Sequence, residues 1–159
     1  MRWDLIEKFE VLKKGENSIA VKSFSGREDF FKEHFPGRPL IPDPLFIEMI
    51  AQVGGVLYGF GMDFQKEVIL AKVSEARFLR PVSPPCRFWI EARIEEEREE
   101  GAWISGTVKI EDQLAAEARI LLVTVESFET DRKTQVVFSE TFLEHFDVYN
   151  VARLSEAKV

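Results

Sequence analysis

Two residues in this 159-residue chain have side chains suited to moving protons in one place, His34 and Glu48. Glu48 is the only acidic residue between Pro44 and Gly61, in a stretch dominated by Leu, Ile, Val, Met and Phe. A carboxylate there is costly unless it is paired or protonated. His34 stands fourteen residues earlier, where a proline-rich loop begins that leads back to Glu48. A neutral imidazole can take a proton, and a carboxyl group whose pKa is raised by apolar surroundings can give one, so the two make a base and acid pair. Taken singly, His34 also reads as a loop histidine capping a backbone group, and Glu48 as a carboxylate reaching a helix edge.

The elements that must position them are legible. Residues 34–44, HFPGRPLIPDP, hold four prolines and a glycine in eleven positions, which predicts a rigid loop without regular structure. Asp43-Pro44 then reads as an N-cap followed by proline at the first helical position, opening a helix over about 44–60. Apolar residues cover its whole circumference, so it is expected to be enclosed and central. Gly54-Gly55 inside it reads as a close-packing site against a sheet, and no glycine-rich nucleotide loop is found.

Around the helix, residues 5–13 and 18–24 flank Gly15-Glu16-Asn17 as a hairpin. Runs at 67–79, 86–97, 102–110 and 114–125 read as a meander of four strands. The arrangement is α+β, an antiparallel sheet with one long central helix. Residues 1–126 form the expected domain. Residues 127–159 read as an extension, a short appendage on the same domain with Phe142, Phe146 and Tyr149 at helical spacing.

Composition removes several function classes. Hydrophobic residues make up 45% of the chain with fourteen Phe, enough for one packed core. Twenty-eight acidic against twenty-one basic residues give a net charge of −7, which argues against nucleic acid or an anionic membrane surface as partner. Cys86 is alone, so no internal disulfide can form, and His34 and His145 are too few for a zinc site of the usual composition. No metal and no organic cofactor is expected. The apolar run 45–62 is broken by Glu48 and Gln52 and reads as a core helix rather than a membrane span. The charged N-terminus lacks the apolar run of a signal peptide, so a cytoplasmic protein is expected.

His34-Phe35-Pro36-Gly37-Arg38-Pro39, then Pro42, Glu48, Ala51-Gln52 and Gly54-Gly55, closely resembles the signature of the FabZ and FabA family of 3-hydroxyacyl-thioester dehydratases. Arg77-Phe78 followed by Pro81-Val82 resembles the family's strand after the central helix, and the resemblance covers roughly residues 5–125. It implies a hot-dog fold, the sheet wrapped around the helix, in a homodimer or a dimer of dimers paired edge to edge. It also implies a site in which His34 of one subunit is the base and Glu48 of the other the acid. The reaction would convert a 3-hydroxyacyl thioester, on acyl carrier protein or coenzyme A, to a trans-2-enoyl thioester in fatty-acid or related lipid or polyketide synthesis. Phe35, Asp43, Pro44, Leu45 and Gln52 would shape the oxyanion and substrate site, and Arg77, Arg80 and Arg87 would offer an acidic carrier protein a basic patch.

The chain also departs from that pattern. Where the family usually has Pro-Gly-Val or Pro-Gly-Cys, this chain has Pro42-Asp43-Pro44. Pro44 has no N–H to offer a developing enolate, and Asp43, read as an N-cap, would occupy the N–H of Leu45 or Phe46 and bring a negative charge. Ser83-Pro84-Pro85-Cys86 replaces the usual Pro-Gly-Asp. A non-catalytic or weakened subunit that binds an acyl carrier is therefore the alternative reading. A thioesterase ranks lower, because such hot-dog enzymes typically lack this histidine loop.

Overall fold

The computed structural model describes residues 5–126 and 137–158. Strands β1 (Lys8–Lys13) and β2 (Asn17–Phe24) form the expected hairpin, turned at Gly15 with φ of 73°. A 3₁₀ turn at Asp29–Lys32 and the proline-rich loop lead into helix α1 (Asp43–Gly61). Strands β3 (Glu67–Phe78), β4 (Cys86–Arg98), β5 (Gly101–Ile110) and β6 (Gln113–Val125) follow, then helices α2 (Glu140–His145) and α3 (Val148–Glu156).

The sheet is antiparallel throughout its pairings, in the order β1-β2-β4-β5-β6-β3. The expected meander of four strands therefore holds only for β4, β5 and β6. Two-residue connections join these three strands, and Glu111 and Asp112 have φ of 47° and 62°, the left-handed pair that suits a tight hairpin. Residues 79–85 cannot do the same. Three prolines at 81, 84 and 85 remove donors and fix the backbone, and the buried Val82 accepts a hydrogen bond from the Ile41 N–H at 2.8 Å. The connection thus crosses the end of the domain, and β3 pairs with β6 at the far edge instead of with β4.

The sheet curls around α1. Phe46, Met49, Ile50, Val53, Val56 and Leu57 have no exposed surface, and they share one core with Phe88, Ile90, Ile104 and Ile120 of the strands. Each such side chain contributes ~1.5–3 kcal/mol when fully buried. Two glycines allow the close approach: a Cβ on Gly54 would lie 3.0 Å from Ile104, and one on Gly106 would collide with Ile50. By length and composition α1 could cross a membrane, but it is the core helix, sequestered by the sheet. Its enclosure has one gap, a half-buried stripe of Ile47, Glu48, Ala51 and Gln52.

Asp43 does not cap α1. Pro42 occupies the N-cap position in extended conformation (φ −62°, ψ 127°), no side chain caps the helix, and the Leu45 N–H bonds to the Pro42 carbonyl at 2.9 Å. The helix starts one residue earlier than Asp43's capping preference suggests, because the preset φ of Pro42 already turns the chain into it. Asp43 is then an exposed residue of the first turn, where its charge suits the helix dipole.

Candidate functional site

The loop that carries His34 is held by its own backbone. The His34 N–H bonds to the Phe30 carbonyl at 3.0 Å, and the Leu40 N–H returns to the His34 carbonyl at 3.0 Å. Phe35 and Arg38 exchange bonds of 3.1 and 2.9 Å across a turn that Gly37 completes with φ of 74°. Fixed this way, the half-buried imidazole places Nδ1 3.1 Å from the Leu40 carbonyl oxygen. A carbonyl only accepts, so this bond assigns the proton of the neutral ring to Nδ1 and leaves the lone pair on Nε2. The Phe35 ring stacks on the imidazole, with centroids 4.0 Å apart. The loop therefore presents a histidine of fixed tautomer with its basic nitrogen pointing away from its anchor.

Glu48 stands on the one open stripe of α1. Gln52, one turn on, donates from Nε2 to Glu48 Oε1 at 2.9 Å, which orients the carboxyl group. Both line a cleft of about 430 Å³ between α1 and the start of β3, with Ala51, Gly55, Val68, Ile69 and Leu70 among its walls. That volume lies within the range of small-ligand pockets, ~300–1,000 Å³, and the walls are mainly apolar. Among the described residues, none of 34–42 lines this cleft. One chain thus holds His34 and Glu48 each by its own hydrogen-bond partner, but does not place both in the same cleft.

The other sequence-derived candidates are distributed around this frame. Asp43 and Pro44 are exposed at the start of α1, and the Leu45 N–H is already satisfied by Pro42. Arg77 pairs with Glu117 at 2.8 Å and Arg87 with Glu7 at 3.5 Å, while Arg80 is half-buried. Such exposed pairs are worth little, roughly 0–1 kcal/mol, and leave both guanidinium groups open to a competing anion. Burial, with help from the charge of Glu28, pushes the Cys86 thiol up to about 11, which disfavours its thiolate. Among the described residues no group of His, Cys, Asp or Glu is arranged to hold a metal ion.

Val137, Phe138 and Phe142 also line the Glu48 cleft, and reading the sequence missed them. The signal was present on the helix side: Glu48, Gln52, Gly55 and Gly59 follow one face, and two glycines there leave room for something bulky.

Comparison with known proteins adds a family match, two relatives and two solved structures. The family described as the FabA-like domain matches residues 3–119. A 3-hydroxyacyl-[acyl-carrier-protein] dehydratase FabZ from Hydrogenobaculum is 35% identical over 132 residues, covering 81% of this chain and 88% of the relative. A FabZ from Pectobacterium atrosepticum is 36% identical over 120 residues, covering 74% and 80%. Among solved structures, the dehydratase heterocomplex ApeI:P from Xenorhabdus doucetiae superposes with a TM-score of 0.63 at 14% identity, over 78% of this chain and 84% of that one. A Streptococcus mutans protein bound to acetyl-CoA gives 0.60 at 13% identity, over 75% and 88%. The structural likeness confirms the hot-dog fold.

Proposed function

The chain belongs to the FabA-like family of FabZ-type 3-hydroxyacyl-[acyl-carrier-protein] dehydratases, and from that premise we propose that His34 of one subunit and Glu48 of its partner dehydrate carrier-bound 3-hydroxyacyl chains. The protein is a hydro-lyase of fatty-acid synthesis. In the proposed reaction His34 Nε2 removes the C2 proton, and the electrons of the C2–H bond form the C2=C3 bond. The C3–O bond breaks as Glu48 gives its proton to the departing oxygen, and water leaves. Proton return from the imidazolium to the carboxylate, directly or through solvent, resets the pair. The observation that carries this reading is the fixed tautomer: with Nδ1 committed to Leu40, only Nε2 can act as base.

A shared site explains why the Glu48 cleft holds no histidine. The β3 edge beside that cleft exposes Leu70, Val73, Phe78 and Leu79, each between 39% and 47% accessible. We assign this edge to pairing with a second copy about a two-fold axis, a self-complementary contact that would bring a partner's loop to each cleft. A dimer of dimers would build on the same unit. Arg77, Arg80 and Arg87 are the basic groups available to an acidic carrier protein, and a coenzyme A thioester would use the same cleft. An enzyme working on such carriers fits the cytoplasmic setting expected from the sequence.

One observation favours a second reading, a subunit that binds acyl chains without turning them over. Pro44 has no N–H, and that of Leu45 is already bonded, so the first turn offers an enolate fewer donors than a Gly-Val sequence would. The same assay separates the two. With a short 3-hydroxyacyl thioester, wild-type protein should form the enoyl product, and His34→Ala and Glu48→Gln should each slow it by ~10²–10⁴-fold while remaining folded. Binding without enoyl formation by the wild type would establish the second reading, and a variant retaining a tenth of the rate would remove its residue from the mechanism.

A further inference from the structure

The cleft at Glu48 has an end wall that lies outside the part of the chain matched by the FabA-like family. That match stops at residue 119, whereas Val137, Phe138 and Phe142 belong to the C-terminal segment. We propose that this segment limits the acyl chain the enzyme accepts, with Phe138 as the residue that sets its length. The inference rests on the dehydratase reading for the identity of the ligand, and on the geometry of the cleft for the limit.

The geometry begins on α1. Glu48, Gln52, Gly55 and Gly59 succeed one another at spacings of four, three and four residues, so they share one face of the helix. The first two bear the polar groups of the site, and the last two have no side chain. Phe138 occupies the space at Gly55, where a Cβ would lie 2.9 Å from its Cζ; at Gly59 a Cβ would meet the Phe64 ring at 2.8 Å and Phe138 Cδ2 at 3.8 Å. The Phe138 ring therefore rests directly on the helix backbone and crosses the groove that runs from Glu48.

Four further contacts hold it there. The Val137 N–H donates to Glu67 Oε2 at 2.7 Å, and Glu67 is a buried carboxylate at the start of β3. The Phe138 ring meets Phe64 at 5.9 Å and Phe142 at 5.3 Å between centroids. Ser139 caps α2 by accepting from the Phe142 N–H at 3.2 Å. A ring supported from both sides cannot step aside as a loose side chain would. Glu67 is a positioning residue in this arrangement, since it touches the wall and not the cleft.

The spacing gives a length. Seven residues separate Glu48 from Gly55, about 10 Å at 1.5 Å rise per residue. An extended hydrocarbon advances roughly 1.3 Å per bond for bonds near 1.5 Å. An acyl chain following this groove would meet Phe138 about eight carbons past the reacting centre. Short and medium chains fit, and long chains require the ring to move.

The test is the chain-length profile of dehydration, measured as kcat/KM for short, medium and long 3-hydroxyacyl thioesters with wild type, Phe138→Ala and Phe138→Leu. The wild type should fall at least ~10-fold from medium to long chains, Phe138→Ala should recover at least ~10-fold in the long-to-short ratio, and Phe138→Leu should fall between. Calorimetric binding of saturated acyl pantetheine thioesters of the same lengths runs in parallel. A wild type that handles long chains as well as short ones, or variants with an unchanged ratio, would overturn the proposal. If the wild type turns over no chain but binding shows the same cutoff and Phe138→Ala relieves it, the wall stands and the dehydratase reading falls. Binding without a cutoff, or none at any length, would overturn the wall itself. Phe138→Leu, which keeps an apolar side chain in the aromatic cluster, serves if the alanine variant does not fold.

Discussion

Strand β1 ends the sheet beneath a cover of its own chain, whereas no other described residue covers the outer edge of β3. At the first edge α3 lies alongside the strand, and Ser155 Oγ accepts the Leu12 N–H at 3.0 Å while donating to the Val151 carbonyl at 2.7 Å. Phe9 packs edge-on against Phe146, with centroids 6.0 Å apart. At the second edge the twelve residues of β3 are mostly exposed beyond Val68, with Leu70, Val73 and Phe78 among the exposed large apolar side chains and Leu79 just after the strand. Unpaired, apolar sheet edges are aggregation hazards that chains normally blunt. An edge covered by a helix beside one that no described residue covers is what the proposed pairing of two copies through β3 predicts. The Glu48 cleft opens beside that edge, with Val68, Ile69 and Leu70 among its walls, so under the proposed pairing the site would be completed there.

The strongest test of this contrast is to spoil the open edge. On the proposed β3–β3 pairing, Val73→Glu near the middle of the strand would put two carboxylates close together across the two-fold axis, where like charges opposite one another are unfavourable. The variant should be monomeric by sedimentation and should lose activity by ~10²-fold or more, as if a catalytic group were missing. Full activity in a verified monomer would show that each chain carries a complete site. A constructive version follows. His34→Ala and Glu48→Gln, each inactive alone, should recover about a quarter of wild-type activity after equal mixing and subunit exchange, because half the dimers are hybrid and each hybrid has one intact site. Absence of recovery after exchange confirmed by mass would exclude a site shared across β3.

Much of this could be read from the residues, and the exceptions have physical causes. Glu48 and Gln52 were visible because a carboxyl group on an apolar helix needs an explanation, and the structure supplies one in the single gap of the helix's burial. The cap was misread because Asp43-Pro44 satisfies local preferences that Pro42, one residue earlier, had already met. The position of β3 escaped because strand patterns give alternation and not neighbours; the prolines of 79–85 rule out a tight turn without saying where the chain goes next. The Phe138 wall escaped for the opposite reason, since it joins residues about eighty positions apart that nothing local connects. The helical spacing read at Phe142, Phe146 and Tyr149 does not continue as one helix: Phe146 caps α2, Asp147 turns left-handed, and Tyr149 belongs to α3, so Phe146 packs against Phe9 of β1 and Tyr149 against Phe60 and Phe64.

The smallest expected effect concerns the covered edge. Ser155→Ala removes the acceptor of the Leu12 N–H at a buried position, and an unsatisfied buried donor costs ~1–3 kcal/mol. The Val151 carbonyl loses a partner too, but as a helix carbonyl it keeps a second route to a hydrogen bond. For a domain of this size each kcal/mol should lower the melting temperature by about 2–4 °C. Because α3 covers the edge and contributes nothing to the Glu48 cleft, the dimer and the rate should be unchanged at temperatures well below melting. Amide exchange at Leu12 should accelerate, since the bond that protects it is gone. Thermal unfolding, sedimentation and the enoyl assay on one preparation decide the matter. Should Ser155→Ala instead dissociate the dimer or slow turnover as Val73→Glu does, the two edges would be coupled through the core, and the division into a covered structural edge and an open functional one would have to be abandoned.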